Sequence, residues 1–292
     1  MKSGFVSIIG RPNVGKSTLL NAIIGEKVAI TADKPQTTRN RIRGIYNEKG
    51  IQIVFIDTPG IARPRNKLGA YMTDQALTTF EEVDVILFVV DEMLGSRGGD
   101  QFILERLRES KTPKLLAINK MDRMGPEEYK KIYDEYERTG VFSEIFGVSA
   151  LKGDNVAILL DALKGLVPEG PAYFPEGVFT DLPERFLAGE IIREKMLHYL
   201  RDEVPHGVAI EIEAFAEKPN MTEISAVIYT EKKTHKGIII GKDGHTLKGI
   251  GKSARLELEA LLGARVHLGL WVKVKENWRD NGRILGALGY RE

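Results

Sequence analysis

Gly10-Arg11-Pro12-Asn13-Val14-Gly15-Lys16-Ser17 is the stretch that decides how this chain is read. It follows an apolar run, Phe5-Val6-Ser7-Ile8-Ile9, and leads into Thr18-Leu19-Leu20-Asn21-Ala22-Ile23-Ile24, which carries a helical pattern. Strand, glycine-rich turn and helix, in that order, form the setting in which G-x-x-x-x-G-K-S cradles a phosphate chain. Successive backbone N–H groups wrap the phosphates, and the helix N-terminus adds positive potential. Lys16 has the length to reach terminal phosphates, and Ser17 offers a hydroxyl to Mg²⁺.

Outward from this loop, short apolar runs alternate with amphipathic stretches. Runs at 5–9, 51–56, 85–90, 114–118 and 144–148 read as strands, several of them apolar throughout, as strands buried on both faces are. Stretches 101–109 and 126–139 read as helices, and 41–46 as an added edge strand. The pattern predicts an α/β doubly wound, mostly parallel sheet whose sites lie at the carboxyl ends of its strands. Pro168, Pro171, Pro175 and Pro183, with Gly170 and Gly177, mark a change of composition. The predicted division is a nucleotide-binding domain over 1–168, a linker over 169–183 and a second domain over 184–292. In the second domain a helix at 184–201, strands at 208–215 and 222–229, a glycine loop, a helix at 245–262 and a strand at 266–274 follow in turn.

The bulk properties bound the answer. A length of 292 residues suits two domains, and 42 % hydrophobic with 28 % charged residues is ordinary for a chain that buries a core. A net charge of +1 gives no global basic field, so any nucleic-acid surface is local. Without cysteine there is no disulfide or thiolate metal site, which suits a reducing cytoplasm. The N-terminus enters a strand directly, and no targeting segment is read there. The longest apolar run, Val85-Ile86-Leu87-Phe88-Val89-Val90, is far shorter than the roughly 20 residues of a spanning helix. Peripheral contact with the inner face of the cell membrane stays open.

Three more elements stand at strand ends: Asp57-Thr58-Pro59-Gly60, Asn119-Lys120-Met121-Asp122 and Ser149-Ala150-Leu151. Each alone reads as an Asp/Gly turn or a helix cap. Together and in order they form a specific signal. The chain here resembles the translational-type GTPases with a Ras-like domain, and within them it is similar to the Era family, bacterial GTPases that bind ribosomal RNA. The resemblance covers essentially the whole chain. It rests on residues 10–17, Pro35-Gln36-Thr37-Thr38-Arg39, residues 57–60, 119–122 and 149–151, and Gly241-Lys242-Asp243-Gly244.

The chemistry fits those roles. Asp122 can accept from guanine N1–H and the exocyclic amine, which adenine does not offer, and such a mismatch rejects a base by roughly 10⁴-fold. Asn119 braces the loop, the Lys120 stem covers the purine face, and the Ala150 N–H faces guanine O6. Asp57 holds Mg²⁺ through water, and the Gly60 N–H contacts the γ-phosphate. The nucleotide-binding set is thus Gly10, Asn13, Val14, Gly15, Lys16, Ser17, Thr18, Thr37, Thr38, Asp57, Gly60, Asn119, Lys120, Asp122, Ser149, Ala150 and Leu151. Ser17, Thr38 and Asp57 are the metal set. The resemblance implies that a threonine of 35–39 closes over Mg²⁺ and the γ-phosphate; Thr38 is the choice and Thr37 the alternative.

Catalysis is less legible. Ras-like enzymes set a water-orienting Gln just after D-x-x-G. Ile61 stands there and cannot polarise water, so the intrinsic rate is expected to be low. A related group with an apolar residue at this position holds K⁺ with a phosphate-loop Asn, the position of Asn13; the bland alternative is that Asn13 only shapes the loop. Lys16, Thr38, Gly60 and Asn13 are the catalytic candidates. Residues 61–67 and 95–99 read as mobile loops, in which Arg63 and Arg65 are catalytic, RNA-facing or simply solvated.

Ile238-Ile239-Ile240 and Gly241-Lys242-Asp243-Gly244 precede a helix with apolar positions Leu247, Ile250, Ala254, Leu258 and Leu261. Two strands before and one strand after give the order of a type II KH domain, which clamps single-stranded RNA on the glycine loop. Ile240, Gly241, Lys242, Asp243, Gly244 and Lys248 are the RNA candidates. Lys232, Lys233, Lys236, Lys252 and Arg255 add local positive charge. Trp271 is assigned to the core of its strand, and Trp278 is left open. The implied function is GTP hydrolysis controlling a domain that binds the 3′ region of 16S ribosomal RNA and assists 30S assembly, with GTP/GDP, Mg²⁺ and K⁺ as ligands and a monomeric chain. The alternative is a nucleotide-gated RNA scaffold with negligible turnover. A tRNA-modification or double-GTPase relative is disfavoured by the single GTPase domain and the lack of a cysteine-bearing tail.

Overall fold

The computed structural model describes residues 1–93 and 99–290. Its strands are β1 Lys2–Ile9, β2 Ile42–Glu48, β3 Ile51–Asp57, β4 Val85–Val90, β5 Lys114–Ile118, β6 Glu144–Gly147, β7 Ala209–Lys218, β8 Met221–Thr230 and β9 Val266–Val274. Its helices are α1 Lys16–Ile24, α2 Lys67–Leu77, α3 Gly99–Glu109, α4 Pro126–Glu137, α5 Val156–Leu166, α6 Glu184–Tyr199, α7 Lys233–Ile240, α8 His245–Leu262 and α9 Gly282–Ala287. Two compact units result: residues 1–65 with 69–181, and residues 66–68 with 182–292.

The first unit holds a six-stranded sheet in the order β2-β3-β1-β4-β5-β6. Only β2 runs antiparallel, against β3, and every other pairing is parallel. All six side chains of β4 are fully buried. Each contributes about 1.5–3 kcal/mol by leaving water, which explains the unbroken apolar run at the middle of the sheet. On one face, Phe88 and Val90 pack with Ala76 of α2, Ile103 and Leu107 of α3, and Ile132 and Tyr136 of α4. The expected loop at 95–99 lies outside the described residues except for Gly99, the first residue of α3.

Of residues 169–183, expected as a linker, 169–181 fall within the first unit and run along it. The Ile45 N–H of β2 donates to Phe179 O at 2.8 Å, Asn47 Nδ2 to Val178 O at 3.1 Å, and Thr180 Oγ1 to Arg43 O at 2.7 Å. Gln52 clasps the same segment, accepting from Tyr173 N–H at 2.7 Å and donating to Phe174 O at 2.8 Å. A proline-rich strap thus satisfies the open edge of the sheet, a place where exposed N–H groups invite stray pairing.

In the second unit the three-stranded sheet has the order β7-β8-β9, with β7/β8 antiparallel and β8/β9 parallel. A register shift between Ile212 and Ala214 breaks the strict alternation expected of β7. Ala188, Ile191 and Ile192 of α6 meet Ala254 and Leu258 of α8 and Ile224 and Ala226 of β8 in the core. Leu261, assigned from the sequence to the buried face of α8, is 41 % exposed, because the buried stripe continues from Leu258 to Leu262, four residues on, which packs against the core instead.

Of the two tryptophans, Trp271 reverses its assignment to the core, and the structure decides Trp278, which the sequence left open. Trp271 is 51 % exposed, whereas Trp278 is fully buried and donates its indole N–H to Gly207 O at 2.9 Å. The alternation of β9 explains the first: His267, Gly269, Trp271 and Lys273 share one face and Val266, Leu268, Leu270 and Val272 the other. Helix α7 was not anticipated at all. Its Ile238-Ile239-Ile240 run is β-branched, and only Ile239 is fully buried.

Candidate nucleotide and RNA sites

The phosphate loop is pinned from several sides. Lys16, buried, points its Nζ back across the loop and donates to Arg11 O at 2.9 Å and Gly10 O at 3.2 Å. Its ammonium is cradled where phosphate oxygens would otherwise accept, and burial pulls its pKa down to about 8. Arg11 is also buried, its Nε donating to Asp100 Oδ2 at 2.7 Å and its Nη2 pairing with Glu92 at 2.6 Å. Burial opposes its charge, and the surrounding carboxylates outweigh that, so its pKa is raised.

Ser17, Thr38 and Asp57 converge. Ser17 Oγ donates to Asp57 Oδ2 at 2.6 Å and lies 2.9 Å from Thr38 Oγ1, which itself sits 3.3 Å from Asp57 Oδ2. Asp57 is buried, and burial raises its pKa despite Lys16 nearby. Its Oδ1 has no hydrogen-bond partner among the described residues. Two hydroxyls and a buried, incompletely satisfied carboxylate are the hard oxygen donors that suit Mg²⁺. Thr37 turns the other way, donating to Lys34 O at 2.6 Å, so the geometry favours Thr38 over Thr37.

Gly60 comes against the phosphate loop: a Cβ there would lie 2.5 Å from Pro12 N, too close for any other residue. Thr58 ties the same turn to β1 by donating from Oγ1 to Ile8 O at 2.9 Å. Ile61, next in the chain, is 1 % exposed and packs with Ile9 and Phe88 in the core. Asn13 has φ 68°, and its Nδ2 lies 3.5 Å from Asp33 O.

The base-side motif is braced to the loop. Asn119 Nδ2 donates to Val14 O at 2.8 Å and Lys120 Nζ to Asn13 O at 2.7 Å. Asp122 accepts from Ser149 Oγ at 2.6 Å, the main reason its carboxylate pKa is lowered. Ala150 N–H, assigned from the sequence to guanine O6, here donates to Asn119 Oδ1 at 2.9 Å. Asn119 can hold that donor because its amide spans the gap between the two loops. Gly10, Val14 and Ser149 are buried, Gly15 and Thr18 half-buried, and the Leu151 side chain is 69 % exposed. Sequence reading missed Arg11, Asp91 and Asp100. Arg11 lay inside the motif as a variable position, and nothing local tied it to acids some 80 residues away.

In the second unit the glycine loop joins α7 to α8. Gly241 has φ 73°, and a Cβ there would collide with Thr246, so glycine is required. Lys242 and Asp243 are exposed, and Lys248 Nζ reaches Asp243 O only at 3.4 Å. Lys232, Lys233, Lys252 and Arg255 are exposed on the two helices and the turn before them, while Ile240 packs partly against the core.

Known proteins match along the whole chain. The family model described as "50S ribosome-binding GTPase" matches residues 5–120, and that of the KH domain matches residues 203–279. GTPase Era of Alkaliphilus metalliredigens is 56 % identical over 291 residues, covering 99 % of both chains. GTPase Era of Clostridioides difficile is 54 % identical over 294 residues, covering 100 % of this chain and 99 % of that one. The structure of Era with MgGDPNP and nucleotides 1506–1542 of 16S ribosomal RNA superposes with a TM-score of 0.96 at 43 % identity, covering both chains fully. A variant of Aquifex aeolicus Era bound to GDP and AlF₄⁻ matches with the same score at 42 % identity. A phosphate loop braced to a guanine-type motif, a KH domain, and this agreement over the full length make the chain a member of the Era family of GTPases.

Proposed function

We propose that this chain binds GTP and hydrolyses it, and that its nucleotide state controls binding of the single-stranded 3′ region of 16S ribosomal RNA at the KH domain, in support of 30S subunit assembly. The convergence of Ser17, Thr38 and Asp57 beside Lys16 carries the reading. These three residues would hold Mg²⁺, which when bound neutralises charge on the phosphate oxygens. Lys16 and the Gly60 N–H stabilise charge on the γ-phosphate. Water attacks its phosphorus, the bond to the GDP oxygen breaks, and phosphate leaves. Asn119 and Lys120 shape the base pocket, and Asp122 selects guanine. Asn13 would hold K⁺ where an arginine finger acts in other GTPases. The same reading has the chain working as a monomer in the cytoplasm with peripheral contact at the membrane; among the described residues no helix is long and apolar enough to cross one.

The burial of Ile61 favours the rival, an RNA scaffold with negligible turnover, because no side chain at that position reaches a water. Single-turnover hydrolysis in matched K⁺ and Na⁺ buffers, with and without the 16S 3′ fragment, separates the two. The expected outcome is faster turnover in K⁺, lost in Asn13→Ala. Equal rates in both salts would remove K⁺ from the mechanism, and no turnover under any condition would leave the scaffold.

A further inference from the structure

We propose that Asp91 is a positioning residue that makes the grip on the phosphates and the grip on the base a single unit, a role that rests on the nucleotide-binding reading above. Asp91 directly follows β4, whose last carbonyl, Val90 O, accepts the Asn119 N–H at 2.7 Å. Its carboxylate holds two cations from different parts of the chain. Oδ2 accepts from Lys120 Nζ at 2.6 Å, and Oδ1 accepts from Arg11 Nη2 at 3.3 Å. Lys120 also donates to Asn13 O, and the carbonyl of Arg11 receives the Lys16 ammonium. One carboxylate therefore fixes both the lysine whose stem lies over the base and the loop residue against which the phosphate lysine rests.

Charge bookkeeping at the spot supports the assignment. Arg11 is matched by Asp100 and Glu92 besides Asp91, so its charge survives loss of Asp91. Among the described residues Lys120 has Asp91 as its carboxylate partner, at 2.6 Å, and it otherwise donates to the neutral Asn13 carbonyl. The Lys120–Asp91 pair is half-buried, with side chains 30 % and 19 % exposed, and so is only partly screened by solvent. Removing the acid frees the lysine stem to leave the base face and takes from Arg11 the carboxylate it shares with Lys120, leaving it Asp100 and Glu92. Asp91 touches neither base nor phosphate in this scheme, and guanine selection stays with Asp122.

The test uses the full chain with Asp91→Asn, Asp91→Ala, Lys120→Ala and the Asp91→Ala/Lys120→Ala pair. Release of a fluorescent GDP is followed by stopped flow, and KM and kcat for GTP are measured beside it. Asp91→Ala is expected to release GDP about tenfold faster and to raise KM more than it lowers kcat. Asp91→Asn keeps an acceptor for Lys120 and should fall between parent and Asp91→Ala. The double variant should be little worse than either single one, because the two side chains act together. The ratio of GTP to xanthosine triphosphate affinity should stay at the parent value. Parent release rates in Asp91→Ala, or additive effects in the double variant, would overturn the proposal. A changed base preference would do so too, by moving Asp91 into base selection. Should Asp91→Ala fail to fold, Asp91→Asn carries the test, and parent release in that variant overturns it equally. Failure of nucleotide binding in the parent chain would instead sink the functional reading itself.

Discussion

Two glycine loops open onto helix N-termini in this molecule, and they are built to opposite specifications. The loop before α1 is locked: Lys16 folds back onto it, Arg11 is buried among acids, and Asn119 and Lys120 brace its carbonyls from the far side. The loop before α8 stands open, with Lys242 and Asp243 exposed and the Lys248 ammonium reaching Asp243 O only at 3.4 Å. A small, densely charged ligand rewards preorganised donors in a water-poor site. A polymer backbone must be met along its length, so a loop that takes one stretch of it needs access and charge more than enclosure.

The largest way to break that contrast is at the base. Asp122→Asn should shift the preference from guanine to xanthine nucleotides by roughly 10⁴-fold, read by competitive titration, since its carboxylate is the acceptor pair. Unchanged preference would move base selection elsewhere. RNA binding should survive the change when the variant is loaded with the xanthine nucleotide it now prefers.

A smaller effect is expected from pH. Burial holds the Lys16 ammonium down at about 8, against an ordinary value near 10.5. Bound phosphate restores the charged form, so GDP affinity should be flat below pH 8 and fall above it, by up to about tenfold per pH unit. In the free chain the same group lowers stability below pH 8, where it is charged in both states. That cost is relieved as pH rises from about 8 towards 10.5, because the unfolded chain then holds the proton that the folded one has lost. Calorimetric titration of GDP between pH 7 and 9 checks the first claim, with Lys16→Met as the variant that has no proton to regain.

The smallest effect sharpens the comparison from the RNA side. Lys242→Asp keeps both glycines and adds a second repulsive charge beside Asp243. RNA affinity should fall, and its salt dependence should flatten by a slope of about 0.7, the loss of one phosphate contact with a single strand. Titration of the 16S 3′ fragment at several salt concentrations measures it, and GTP binding should not change. An identical slope would make residues 241–244 a plain turn.

Legibility followed how local the signal was. The strand at Val85–Val90 and the helix at His245–Leu262 match their sequence reading because burial on both faces, and a 3.6-residue stripe, are written in adjacent residues. Helix α7 was missed because three isoleucines, a threonine and a glycine among its eight residues favour other conformations, and packing of Ile239 overrides that preference. Trp271 was misread by letting the size of a side chain outweigh a clear alternation in its strand.

The nucleotide motifs, their order and their places at strand ends were decided by sequence alone, because each is a short run whose backbone and side chains act together. The choice of Thr38 over Thr37, the engagement of Ala150 N–H by Asn119, the strap along β2 and the sharing of Asp91 between Arg11 and Lys120 were decided only by the folded chain. Arg11 and Asp91 are 80 positions apart. Pairs of that separation meet only after the sheet has set its strand order, and no periodicity within either segment encodes the meeting.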